Sequence, residues 1–163
     1  MITNKNAVIA LLSEYEKAIL ELQNEIQNIS DEDLTFIVDT KTNNPDCRSI
    51  QTVLAHTISS GYSYCVYIRN FRNENTLRPK RMDRKSTSEY IVDLDNVIKF
   101  TRDTFSAISD DELERFTESE KMKTSWNQVY DIEQMMEHAI VHILRHRRQI
   151  ENFKVQIKLK NWL

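Results

Sequence analysis

DIEQMMEHAIVHILRHRRQIENF, residues 131–153, carries three histidines at successive four-residue steps, and its reading decides the fold. Asp131 followed by Gln134 is a helix-start signature, since both side chains can satisfy amides left free in a first turn. Neither glycine nor proline interrupts the run from there to Phe153. His138, His142 and His146 therefore stack on one face, a turn apart. Met135, Ala139 and Ile150 accompany them, so that face points inward rather than to water. A helix that buries histidines needs other helices to bury them against.

The rest of the chain supplies those partners. The 163 residues include one glycine and two prolines, whereas the tight turns of a sheet lean on both residue types. Val8, Leu11, Leu12, Tyr15, Ile19, Leu22 and Ile26 recur at three- and four-residue steps and predict a first helix over 6–27. Ser49 caps a second over 49–70. Its inner face begins with Ile50, Val53, Leu54, Ala55 and His56 and continues through Tyr64, Cys65, Tyr67 and Ile68. Ser86 and Glu89 form a capping box for a third helix over 87–108, with Tyr90, Ile91, Leu94, Val97, Ile98, Thr101 and Phe105 inside.

With the helix over 132–153, these make an all-α four-helix bundle, read as a single domain of residues 1–163. A long basic loop with Arg72, Arg78, Lys80, Arg81, Arg84 and Lys85 joins helices two and three. Residues 39–48, with Pro45, read as loop. Residues 30–34 and 109–113 are nearly the same string, each a serine followed by an acid three positions on. Duplication or shared capping chemistry explains that equally well. At the C-terminal end, the alternation of Val155, Ile157 and Leu159 is compatible with extended chain, but ten residues are too few to decide the conformation of 154–163.

Composition narrows the function classes. Hydrophobic residues make up 40% and charged residues 29%, with a formal charge of −3. That balance gives no drive toward nucleic acid or anionic membrane. No window approaches the roughly 20 apolar residues of a membrane span. Asn4, Lys5, Glu14 and Glu16 break any apolar core of a signal peptide. Cys47 and Cys65 form no disulfide framework. The expectation is a cytoplasmic protein.

The four histidines are His56, His138, His142 and His146, and all fall on two predicted inward faces. An imidazole buried without a partner costs about 1–3 kcal/mol. A divalent metal ion takes neutral imidazole and supplies the missing bond. Two histidines one turn apart, with a third from another helix, make a three-nitrogen site, and its open position suits catalysis rather than structure. These residues alone do not say which three of the four take part.

The string Glu137 to Ile150 resembles the last-helix signature of the DinB/YfiT-like proteins, in which an H-x3-H pair precedes an R-G-Q-I-like run. Ser49 to His56 resembles the second-helix signature of that family, which ends in a metal ligand. The resemblance implies an up-down-down-up bundle, often dimeric, with one divalent ion on His56, His142 and His146. Characterised members include transferases and isomerases dependent on low-molecular-weight thiols. Arg148 stands where glycine is common in the family, which implies less room beside His146.

Function follows as an expectation. The ion, zinc or nickel first and iron or manganese next, would activate a low-molecular-weight thiol toward an electrophilic small molecule. The rivals are a metal-dependent hydrolase and a non-catalytic metal-binding stress-response module. His138 is a candidate pocket base or hydrogen-bond donor, and Glu137 and Gln149 could fix imidazole tautomers. Tyr62, Tyr64 and Tyr67 could reach a cavity or pack in the core, and the basic loop could attract an anion or simply be solvated. Tyr67, Phe71 and Trp126 lie near helix ends and suggest a homodimer surface.

Overall fold

The computed structural model describes residues 6–160. The reading of Asn4 and Lys5 lies outside them, as does the end of the C-terminal tail.

Five α-helices account for most of the described chain: α1 (Asn6–Ile26), α2 (Asp31–Thr35), α3 (Ile50–Phe71), α4 (Thr87–Phe105) and α5 (Ile132–Lys160). The four long ones form the expected bundle, and α2 is a single capped turn. Side-chain pairs between helices set their directions. Glu16 meets Arg102 and Gln23 meets Asp95, so α1 and α4 are antiparallel. Cys65 meets Thr101 and Arg69 meets Asp103, and Gly61 lies against Val97, so α3 and α4 are parallel. Glu21 pairs with Arg147 and Glu25 with Lys154, making α1 and α5 parallel. The order is up-down-down-up.

The helix starts follow the chemistry of their caps. Ser49 Oγ accepts from the Thr52 amide at 3.1 Å while the Thr52 hydroxyl accepts from the Ser49 amide at 3.1 Å. Ser86 and Glu89 cap α4 reciprocally. Asp131 and Gln134 do the same for α5, at 2.9 and 3.2 Å. The two serine-acid strings diverge: Ser30 caps the α-helical turn, whereas the other lies in a 3-10 turn over Asp110–Glu112. Tyr15, Ile19, Leu22, Leu54, Ile68, Leu94, Phe105, Met135 and Ile150 fill the interior.

Two helix ends and one connection depart from the periodicity. Helix α4 stops at Phe105 rather than near residue 108, and Ile108 is buried in the turn beyond. Helix α5 continues to Lys160, so the tail, compatible with extended chain on its alternation alone, is helical as far as it is described. Ile157 lies four positions beyond Phe153 and seven beyond Ile150, and all three are buried, whereas Val155 and Leu159 face out. A helical stripe wins over an alternation of three residues. Between α4 and α5, Met122–Lys123 pairs antiparallel with Val129–Tyr130, a two-residue hairpin the helical reading missed.

The connection from α3 to α4 runs back along α3. Its backbone and side chains touch α3 at Asn70 through Thr76, at Ser63 through Arg78, at Thr52 through Arg81 and at Gln51 through Arg84. No helix among the described residues is long and apolar enough to cross a membrane.

Candidate metal centre

His56 comes from the cavity side of α3, and His142 and His146 come from consecutive turns of α5. The antiparallel pairing of α3 and α5 brings them together. His142 Nε2 lies 3.0 Å from His56 Nε2 and 3.1 Å from His146 Nε2. All three ligand atoms are within 4.8 Å of one another, and the group could hold a metal ion.

The outward nitrogens explain why the inner ones converge. His56 Nδ1 is 3.2 Å from Asp46 Oδ2, and a carboxylate only accepts, so the proton sits on Nδ1 and the Nε2 lone pair faces inward. The Gln149 carbonyl oxygen, 2.9 Å from His146 Nδ1, fixes that ring in the same tautomer. His142 Nδ1 is buried with no hydrogen-bond partner among the described residues, so they leave its tautomer free. Two inward lone pairs and a third ring free to add one make a donor set suited to a cation.

Burial pulls all three imidazoles below their ordinary value of 6.5, His142 furthest, to about 3. For His142 the neighbouring His146 and His56 add to desolvation. Asp46 opposes the shift at His56, and the Gln149 hydrogen bond opposes it at His146. At neutral pH the three rings are therefore uncharged, the state in which imidazole binds metal.

The site opens into a cavity of about 730 Å³. His138 does not join the cluster. It lies on the cavity wall, with its ring 6.1 Å from that of His142, stacked on Trp126 at 5.7 Å, and its Nδ1 3.3 Å from the Tyr130 hydroxyl. Tyr64 and Tyr67 also line the cavity, whereas Tyr62 packs against Phe100. Glu137 is exposed and touches none of the site. Arg148 is exposed as well and is not among the residues that line the cavity.

The aromatic surface inferred near the helix ends also changes character. Tyr67 and Trp126 pack on each other at 5.5 Å and face the cavity, and the Tyr67 hydroxyl accepts from the Ser125 amide. They no longer argue for an interface between copies.

Sequence reasoning missed Asp46. It follows Pro45 in a 3-10 turn capped by Asn44, and Arg81 from the α3–α4 connection holds its other oxygen at 2.5 Å. The available signal was a carboxylate in a proline-fixed turn just before the Ser49 cap. The serines at 59, 60 and 63 were also passed over, although they follow His56 at the three-, four- and seven-residue spacing of one helix face.

The sequence model of the DinB superfamily matches residues 14–150, a span that includes all three histidines, and the chain belongs to that superfamily. A comparison with curated proteins returned no match.

Proposed function

We propose that this DinB-superfamily protein holds one divalent metal ion, zinc or nickel in preference to iron or manganese, on His56, His142 and His146. We propose further that it transfers a low-molecular-weight thiol onto an electrophilic small molecule. The observation that carries the reading is the convergence of three Nε2 atoms, two with their tautomer fixed from behind, beside a sizeable cavity. A divalent ion held by three neutral ligands keeps its full charge, favours thiolate over thiol and leaves a face open to substrate.

The chain's own residues do the rest. His138, desolvated and so neutral at pH 7, is placed to accept a proton released in the cavity or to donate a hydrogen bond. Tyr64, Tyr67 and Trp126 give one wall an apolar surface that excludes water around the reacting groups. Asp46 and Gln149 keep two imidazoles oriented whether or not substrate is present.

The test combines elemental analysis of the purified protein with a thiol-conjugation screen, using His142→Ala as the control. The expected outcome is about one ion per chain and conjugation above the control for at least one thiol. Metal-dependent ester or amide hydrolysis without conjugation would transfer the site to a hydrolase. Bound metal with neither activity would make it a metal-binding module. Family membership supports a cytoplasmic homodimer, expected by light scattering at twice the 19.4 kDa chain mass.

A further inference from the structure

We propose that Arg78 is an anion-recognition point, and that a molecule reacting at the three-histidine site carries a carboxylate about two helical turns from its reacting end. The proposal rests on the reading of that site as the reacting centre.

The cavity face of α3 is graded. His56 lies at one end, Ser59 and Ser60 follow a turn on, and Ser63 lies two turns away. Seven residues of helix rise about 10 Å and return to nearly the same face. At that level the α3–α4 connection places Arg78, whose Nη1 donates to Ser63 Oγ at 3.0 Å. Ser63 in turn donates to the Ser59 carbonyl at 2.9 Å, so its oxygen is held ready to accept from Arg78.

What separates Arg78 from Arg81 is occupancy. Arg81 also lines the cavity, but its guanidinium is bound to Asp46 at 2.5 Å and to the Thr52 carbonyl at 3.3 Å. Arg78 has no carboxylate within ion-pair distance among the described residues. Among the described residues Asp46 is the one acid lining the cavity, and Arg81 pairs with it. Arg78, exposed and lining the cavity, is thus the guanidinium there without an acidic partner among the described residues. Trp126 and His138, whose rings stack, line the same cavity. The space between takes an apolar linker, with a planar anion at the Arg78 end, for which a guanidinium is well shaped.

The carboxylate could belong to the thiol or to its electrophile. The experiment titrates zinc-loaded protein calorimetrically with ω-mercaptooctanoate, ω-mercaptooctanol and octanoate, using wild type, Arg78→Gln and Arg78→Lys. A charge-assisted contact at an exposed arginine predicts about five- to tenfold tighter binding of the mercapto acid than of the mercapto alcohol. Arg78→Gln should erase that preference without changing the affinity for the alcohol, and Arg78→Lys should keep part of it. A residue that only tethers the loop would shift acid and alcohol alike. Equal binding of acid and alcohol to wild type overturns the proposal, and so does a preference that survives in Arg78→Gln.

Octanoate added to metal-free protein separates this proposal from the metal reading. An Arg78-dependent affinity there supports the anion site even where zinc adds nothing for the thiols. Tighter binding of ω-mercaptooctanoate than of octanoate to zinc-loaded protein assigns the carboxylate to the thiol. Octanoate that binds undiminished to protein saturated with zinc and mercaptoethanol assigns it to the electrophile.

Discussion

Asp46 is where a single residue reaches furthest. One oxygen orients His56 and the other grips Arg81, so a proposed metal ligand on α3 and the connection beyond it share one carboxylate. Asp46→Asn keeps the shape but can present an N–H to the imidazole, removing the reason for the inward lone pair. The expected outcome is about ten- to a hundredfold weaker zinc binding in a competition titration against a chromophoric chelator. An unchanged affinity would leave Asp46 a loop anchor only. The histidines also set a pH dependence. Their folded values lie below 6.5, so below that pH the unfolded chain binds more protons than the folded one. Stability of the metal-free protein should therefore fall as pH drops from about 6.5. Denaturation at several pH values should show a flatter dependence for His142→Phe.

Among the elements, the C-terminal end of α5 gives the sharpest contrast. Ile157 is buried on the same side as Ile150 and Phe153, whereas Leu159, two positions on, is 63% exposed. Ile157→Ala should cost about 2 kcal/mol in urea denaturation, and Leu159→Ala should stay within about 0.5 kcal/mol. Equal effects would mean that the last turns do not pack as a helix. Much of this architecture was legible because caps are local: Ser49, Ser86 and Asp131 each announce a helix within four residues. The hairpin was not, since two-residue strands carry too few side chains for any period to show. The tail stayed undecided because three alternating residues fit two periods, and the choice depended on where Ile150 and Phe153 already pointed. That the histidines of two helices meet was readable from their inward faces, whereas the choice of His56, His142 and His146 over His138 came from the family resemblance, and Asp46 and Arg78 reach the cavity through irregular chain that no period describes.

For the whole molecule, the proposed ion would tie α3 to α5 between positions 86 apart in the sequence. An ion that binds only the folded chain stabilises it by about 4 kcal/mol at a thousand times its dissociation constant. Scanning calorimetry should therefore show zinc raising Tm by several degrees, with no rise in His56→Ala. The parallel pair α3 and α4 imposes a different condition. Residues 72–86 must return the chain to the start of α3, a helix of 22 residues and so about 33 Å long. Fully stretched, that connection reaches only about 50 Å. The slack that remains is taken up by contacts at Asn70, Ser63, Thr52 and Gln51, which make it closer to a strap tacked along the helix than to a hinged flap. Small molecules must then pass beside it rather than under a lifted lid, and the width of that gap, more than any opening motion, limits the size of what reaches the histidines.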